Sequence, residues 1–334
     1  MTHQWMMKGV WVVVIAILIF TGCGGGGGGT NAVSPTSLSY TGSTDRAIIT
    51  DSNAAEIAVG AVNGGTSGNP LTGFAALSEG GGTSDTQRLR VYAPATIMQN
   101  AVADLKTVSL HEMGAERTLV TEQETIYGPC GGQATGIIQV DDVTGAFSGS
   151  LTFSSYCESN VSLNGSTDFS GKINLSTDEI VNASFGFSYL TCTESSETYI
   201  IDGTLVIVNH PANMAITVDM LFQDGIGGDV FWIKDYQMDV VETGPTMSMT
   251  IFGNFYSPQY GYVVLSTQQA LVVDTTDQVP SAGILIAEGE NGSAGGPTMA
   301  RLTCLSAGLF KVETDTDGDG DYDTVSVDLF WDDF

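Results

Sequence analysis

Basic residues are scarce in this sequence: 10 Lys and Arg against 38 Asp and Glu give a formal net charge of −28. Nucleic-acid binding needs Lys and Arg facing the phosphate backbone, so this balance excludes it. Charged residues make up only 14% of the chain, against a usual value of about 25%. Hydrophobic residues reach 42%, and there are 42 glycines. This composition is typical of a β-rich protein outside the cytoplasm that buries a large core.

Motifs for catalysis are also lacking. The sequence has no G-x-S-x-G elbow, H-E-x-x-H site, phosphate-binding loop or dinucleotide fingerprint, and its glycines are predicted to lie in tethers and turns. Only three histidines are present. His111 and His210 are isolated in the sequence, and a lone histidine is usually structural or solvated. The sequence therefore predicts a protein that is not an enzyme, with an envelope hydrolase as a remote alternative.

The first residues have the pattern of a secretory signal peptide. Lys8 lies in a short polar start, the apolar run 10–20 follows, and small residues precede Cys23. An apolar run of this length is too short to span a membrane, which takes about 20 residues. Phe20-Thr21-Gly22-Cys23 resembles the lipobox of bacterial lipoproteins, although that family usually has Leu where Phe20 stands.

The lipobox resemblance implies that the Cys23 thiol is acylated and that residues 1–22 are a lipoprotein signal peptide. Gly24, rather than Asp, after the cysteine implies sorting to the outer membrane of a Gram-negative bacterium. Residues 23–39 then form the lipidated cysteine and a glycine-rich tether, because consecutive glycines offer no side chains for packing. Membrane lipid is the expected partner through this anchor, and the sequence identifies no protein or glycan partner.

Residues 40–128 are predicted to form a segment of helices and loops packed on a sheet. Asp51-Ser52-Asn53 offers an N-cap for a helix over 54–62, where apolar residues recur at helical spacing. A second helix is predicted after Pro94. Its apolar stripe consists of Ile97, Ala101, Leu105 and Val108.

Residues 129–334 are predicted to form an antiparallel β domain, because hydrophobic residues alternate there with a period of 2. Turn signals separate the predicted strands, and the gaps are too short for crossover helices. These signals include Asn164-Gly165, Asp202-Gly203 and Asn291-Gly292. The predicted fold class is mainly β, with α+β character at the N-terminus: a large antiparallel meander sheet of about a dozen strands, curved or sandwich-like, with two N-terminal helices.

Apart from Cys23, the cysteines are Cys130, Cys157, Cys192 and Cys304. An even number outside the cytoplasm predicts two disulfides, for which three pairings exist. We favour Cys130–Cys157, which brackets the first predicted hairpin, and by elimination Cys192–Cys304. A zinc site is disfavoured because no C-x-x-C pair occurs.

The acidic run 315–323 is the sharpest local motif. Carboxylates at positions 1, 3 and 5 followed by Gly320 match the start of a calcium loop of the EF-hand type. Position 12 is Ser326 rather than a bidentate Glu, and the flanking segments are predicted strands. We expect a hairpin tip that either binds Ca²⁺ weakly or holds no metal. The candidate ligands are Asp315, Asp317, Asp319, Asp321 and Asp323.

Three sets of residues lie along 40–325: Tyr40-Thr-Gly-Ser-Thr44 with Ala47-Ile-Ile-Thr50 and Asn53-Ala54; Cys130-Gly-Gly132 leading to Phe153 and Cys157; and the closing Asp-Thr-Asp-Gly-Asp-Gly hairpin. Together they resemble a group of β-rich lipoproteins from Gram-negative bacteria to which no activity is assigned. This resemblance implies the anchor, the first disulfide and the sheet.

The sequence therefore predicts a lipid-anchored cell-envelope protein of structural, adhesive or binding type. The alternative is a lipocalin-like carrier, in which the curved sheet encloses an apolar ligand. An aromatic group on the later strands either binds a lipid or a glycan or belongs to the core. Its members are Phe252, Phe255, Tyr256, Tyr260 and Tyr262.

Overall fold

The computed structural model describes residues 37–67, 120–158, 161–177, 179–194, 197–225, 228–244, 246–274, 280–306 and 308–331. These residues form one helix and one antiparallel sheet of 15 strands. The prediction of a mainly β fold with a large meander sheet is confirmed, and the first predicted helix is observed. The second predicted helix, the signal peptide, Cys23 and His111 lie outside the described residues.

The helix and strands have the following bounds. The helix is α1 (Ala54–Ser67), and the strands are β1 (Val120–Tyr127), β2 (Gly131–Val140), β3 (Ala146–Glu158), β4 (Val161–Asn174), β5 (Glu179–Glu194), β6 (Glu197–Asn209), β7 (Met214–Asp224), β8 (Val230–Thr243), β9 (Thr246–Ser257), β10 (Gly261–Asp274), β11 (Ala282–Asn291), β12 (Pro297–Ser306), β13 (Leu309–Asp315), β14 (Thr324–Val325) and β15 (Leu329–Phe330).

Strands β1 to β14 pair in chain order, and β15 also pairs with β13. The sheet begins at Val120, within the segment predicted to be helix and loop. Two predicted turns were wrong: Asn164-Gly165 lies within β4 and Asp202-Gly203 within β6. The predicted final strand over 324–331 is broken into β14 and β15, which contact different parts of β13.

One face of the sheet is buried and the other faces solvent. In β3 the inward side chains of Phe147, Leu151 and Phe153 are buried, whereas the intervening Ser148 and Thr152 are exposed. The alternation recurs in strands as far as β12, whereas residues 312–315 of β13 are all buried. The inward residues form one hydrophobic core. The period-2 pattern in the sequence therefore reports burial of a single face, as in other antiparallel sheets.

Three strand residues other than glycine have positive φ angles: Ser155 (48°), Tyr189 (51°) and Asp235 (56°). Each lies where the register between paired strands shifts. Such bulges insert an extra residue, bend the strand and increase its local twist. They interrupt the simple alternation of the sequence without ending the strands.

Helix α1 packs against the inner face of β8, β9 and β11–β13. Its buried residues are mostly small, and Ile57 is the largest of them. The helix continues to Ser67, past its predicted end at Val62. Residues 51–53, which were predicted to offer an N-cap, form the turn before the helix. The Asn53 side chain accepts a hydrogen bond from the Thr50 backbone N–H and donates one to the Ile48 carbonyl.

Residues 37–53, the strap, precede this helix and run across one end of the sheet. Their contacts reach Asp202 on β6, Ser257 on β9, Tyr262 on β10, Glu290 on β11 and Thr298 on β12. Alternate connections of an antiparallel meander lie at the same end. The β9–β10, β11–β12 and β13–β14 connections therefore share this end, the strap end, with the β1–β2 connection.

Candidate metal centre

The acidic loop connects β13 to β14 at the strap end. Asp315, the last residue of β13, is fully buried, while Asp317 is half-buried and Asp323 exposed. Burial of a carboxylate is unfavourable unless hydrogen bonds or a cation compensate it. The surroundings of Asp315 supply hydrogen bonds.

Backbone N–H groups of the loop fold around the Asp315 carboxylate. Gly318 N donates to Oδ1 at 2.7 Å, and Gly320 N donates to Oδ2 at 2.9 Å. Both glycines have positive φ, 77° and 95°, which L side chains rarely adopt. Each carboxylate oxygen retains acceptor capacity after one hydrogen bond. Asp315 is therefore held in a fixed orientation with oxygens that can still bind a cation.

Three of the five predicted ligands come together. Carboxylate oxygens of Asp315, Asp317 and Asp323 all lie within 4.8 Å of one another. Calcium binds oxygens at 2.3–2.6 Å, so ligands of one ion are at most about 5 Å apart. This spacing fits a shared Ca²⁺ ion, and we call the three residues the carboxylate triad.

Asp323 is fixed by Thr316, whose backbone N–H and hydroxyl donate to its Oδ2 at 3.0 and 2.9 Å. These hydrogen bonds lower the pKa of Asp323, because they favour the ionised carboxylate. The charge of this triad member is therefore maintained to lower pH than in an ordinary aspartate.

The other two predicted ligands lie outside the triad. Asp319 and Asp321 are exposed, and Asp319 Oδ1 accepts a hydrogen bond from Asp321 N at 2.8 Å. Ser326, at position 12 of the expected motif, instead pairs with β13: its N–H donates to the Val312 carbonyl, and its hydroxyl accepts from Val312 N. The loop thus departs from the EF-hand arrangement after its first residues.

A second loop, between β11 and β12, packs against the acidic loop. Ala294 N donates to the Asp317 carbonyl at 2.7 Å, and Gly296 N donates to the Gly318 carbonyl at 3.0 Å. A Cβ at Gly292 would overlap the Asp317 backbone. Sequence reasoning missed this support, although Gly292, Gly295 and Gly296 were a signal for close backbone approach.

The nearest strand cations are already paired. Arg301 Nε lies 2.7 Å from Glu313 Oε2, and Lys311 Nζ lies 3.4 Å from Glu313 Oε1. Arg301 and Lys311 lower the pKa of Glu313 despite its burial. The Arg301 guanidinium also stacks 3.9 Å from the centre of the Tyr322 ring, which attaches the acidic loop to β12.

The four cysteines within the described ranges form one disulfide and two free thiols. Cys130 and Cys157 are bonded, with Cα atoms 5.1 Å apart, so the first predicted disulfide is confirmed. Cys192 and Cys304 are free and buried, so the second was wrong. They lie on β5 and β12, seven positions apart in the sheet, whereas a disulfide needs Cα atoms within about 7 Å. Burial raises the pKa of Cys304 to about 12.

The remaining candidates are placed as follows. His210 is exposed in the β6–β7 turn, where its backbone N–H donates to the Asn213 carbonyl. Of the predicted aromatic group, Phe255 and Tyr256 are buried, and Phe252 is exposed. Tyr260 donates a hydrogen bond to Glu56 of helix α1 at 2.7 Å. The group is therefore divided between the two faces of the sheet and does not form one surface.

Within the described part of the chain, no helix has the length and hydrophobicity needed to cross a membrane. The candidate metal centre consists of three convergent carboxylates in an acidic loop of the large meander sheet. No protein-family model, curated protein or solved structure matches this chain.

Proposed function

We propose that this chain is a lipid-anchored cell-envelope protein of structural, adhesive or binding type, held in the outer membrane of a Gram-negative bacterium through Cys23. The observation that carries the proposal is the Cys130–Cys157 disulfide. Structural disulfides persist in oxidising compartments outside the cytoplasm. The lipobox-like Phe20-Thr21-Gly22-Cys23 supplies an anchor appropriate to such a compartment.

The sheet itself supports a structural or binding role over a carrier. The inward core residues of β2–β13 are almost completely inaccessible to water. Water would enter an internal cavity large enough for a ligand and would contact the residues lining it. A lipocalin-like carrier needs apolar side chains lining a ligand cavity of several hundred Å³. A rigid scaffold that displays its outer face is the better explanation of this burial.

The anchor is tested by two substitutions in the lipobox-like segment. Cys23→Ala removes the acylated thiol, and we expect the protein to move from the membrane fraction to the soluble periplasmic fraction. Gly24→Asp keeps the cysteine, and the lipoprotein resemblance implies retention in the inner membrane. Sucrose-gradient fractionation and mass spectrometry of the N-terminal peptide measure both outcomes. A Cys23→Ala variant that stays in the outer membrane contradicts the proposal.

We also propose that the carboxylate triad binds Ca²⁺. The supporting observation is the convergence of oxygens from Asp315, Asp317 and Asp323 within 4.8 Å in a loop whose orientation is fixed by backbone N–H groups. The triad lacks the bidentate Glu of a high-affinity loop. We therefore expect a dissociation constant of roughly 10⁻⁴–10⁻³ M, as in weak extracellular sites.

Isothermal titration of the mature chain with CaCl₂ tests the triad. Asp317→Asn removes one triad charge, and we expect binding to be lost. The matched control is Asp321→Asn, which removes an equal charge from the same loop but lies outside the triad; its binding should persist. If both variants lost Ca²⁺ binding to the same extent, the ion would be attracted by the general negative charge of the loop rather than bound by the triad. If the unmutated chain gave no heat of binding at millimolar Ca²⁺, the proposal would be wrong.

A further inference from the structure

The Tyr40 side chain attaches the strap to the outer side of the sheet. Its hydroxyl donates to the Ser257 carbonyl at 2.8 Å. Its ring lies 5.6 Å from that of Tyr256 and 6.0 Å from that of Trp232. Partial burial is the main reason that the pKa of Tyr40 is raised to about 12. Tyr40 is therefore packed into the sheet surface rather than lying loosely on it.

The surface that receives Tyr40 is an aromatic ladder on the outer face. Trp232 on β8, Tyr256 on β9 and Tyr262 on β10 are direct cross-strand neighbours. Adjacent ring centres in this ladder are 4.8 and 5.0 Å apart. Cross-strand aromatic pairs stabilise sheets, and Tyr40 adds a fourth ring. The ladder thus holds Tyr40 against β8 and β9.

Backbone hydrogen bonds continue the attachment along the strap. Tyr262 N donates to the Asp45 carbonyl at 2.9 Å, and Ala47 N donates to the Tyr262 carbonyl at 2.8 Å. Beyond them, Glu290 N donates to the Ala47 carbonyl at 2.7 Å, and Ile49 N donates to the Thr298 hydroxyl at 3.2 Å. The strap is therefore paired to β10, β11 and β12 in succession before the helix begins.

Helix α1 is weak on its own and depends on this placement. It is 14 residues long and contains Gly60, Gly64 and Gly65, whereas isolated helices of this length are marginal even without glycine. The sheet fixes it closely: a Cβ at Gly60 would lie 3.1 Å from the Phe255 ring, and the Tyr236 hydroxyl donates to the Ala61 carbonyl at 3.2 Å.

The extended part of the strap and the helix are joined by a short turn, residues 51–53. The Asn53 side chain accepts from Thr50 N at 2.8 Å and donates to the Ile48 carbonyl at 3.0 Å. At the same point the Thr324 hydroxyl donates to Asp51 at 2.6 Å. Movement of the strap is thus expected to reach the first turn of the helix, which is held in place by its packing on the sheet rather than by its own intrinsic stability.

We propose that residues 37–67, the N-terminal insert, open as one unit. The attachment of Tyr40 to the outer face controls this opening and therefore the exposure of the inner face of β8–β13. The insert opens from the strap end, and helix α1 leaves with it. If the chain is anchored through Cys23, any load on the tether reaches the strap first. That last consequence rests on the proposed anchor, whereas the opening itself does not.

Hydrogen exchange of the mature, unlipidated chain tests the insert, so failure of the anchor would not affect the result. Tyr40→Ala removes the ring and its hydrogen bond. We expect exchange in helix α1 to rise about tenfold or more, with no change in β2–β5. Tyr127→Ala is the matched control, because Tyr127 precedes the β1–β2 connection at the same end and is 75% exposed; it should leave helix α1 unchanged.

Two results would contradict the proposal that the strap and helix α1 open together. Faster exchange confined to residues 37–47, with helix α1 unchanged, would show that the strap and the helix open separately. An equal rise in β2–β5 would show global destabilisation rather than local opening. Tyr40→Phe retains the ring and loses only the hydroxyl, so its effect on helix α1 should fall between those of the unmutated chain and Tyr40→Ala.

Discussion

Gly203→Ala is expected to lower the free energy of unfolding by about 3–5 kcal/mol. Gly203 lies within β6 at a φ of 132°, a conformation that L side chains rarely adopt. A Cβ there would overlap the Asp219 carbonyl and lie 2.7 Å from the Met220 Cα. These are backbone atoms of the paired strand β7, so they cannot move aside without disturbing the ladder.

Gly186→Ala is the matched control for Gly203→Ala. Gly186 lies on the adjacent strand β5, opposite Thr204, and has an ordinary φ. Its added Cβ would meet nothing closer than the Asp168 carbonyl at 3.9 Å. We expect a change within about 1 kcal/mol. Urea unfolding of the three proteins measures the difference, and equal destabilisation by both substitutions would contradict this account of Gly203.

Replacing both Cys130 and Cys157 by Ala is expected to lower the free energy of unfolding by about 3–4 kcal/mol. The bond joins residues 27 apart, and the estimate is the loop-closure entropy that it removes from the unfolded chain. It ties the start of β2 to β3, near the edge of the sheet that the strap does not reach. Loss of the bond should therefore loosen β1–β3 first.

Reduction provides the control for the disulfide. Dithiothreitol should destabilise the unmutated chain by an amount similar to the double substitution, and it should have no effect on the substituted chain. Cys192 and Cys304 are thiols in both proteins. A further effect of reductant on the substituted chain would mean that these two residues form a disulfide after all.

The sheet could be predicted from local pattern because each strand buries one face. Phe147–Phe153 and Tyr236–Val240 alternate in sequence and lie in β3 and β8. Alternation records which side chains face the core, and short gaps leave only antiparallel neighbours. The start of helix α1 at Ala54 was predictable for a similar reason, since its apolar residues recur at the helical period.

Turn chemistry was ambiguous where a strand contains a bulge. Asp202-Gly203 has the composition of a hairpin turn, yet the chain continues as β6 past the bulge at Tyr189 on β5. Gly permits positive φ both in a turn and in a strand beside a bulge, so the dipeptide alone cannot distinguish the two. Pairing with both neighbouring strands is what keeps the residue in β6.

The same distinction applies to the acidic loop. Alternating aspartates identified a candidate for cation binding. The alternate spacing did not distinguish Asp319 and Asp321 from Asp317 and Asp323, because all four lie in the same pattern. The fold around buried Asp315 and the contacts from the β11–β12 loop select the triad. Sequence spacing fixes which side chains are near along the chain, not which oxygens converge.

Most strands, the first helix and the Cys130–Cys157 disulfide could be predicted from the sequence. These features depend on local periodicity or on neighbours within a hairpin. The pairing of all described strands in one sheet, the free thiols on β5 and β12, the strap across one end and the carboxylate triad were visible only in the folded chain. These features depend on contacts between segments that are distant in the sequence. Burial of one continuous face fixes the order of the strands, and this order brings together residues that no local sequence pattern links.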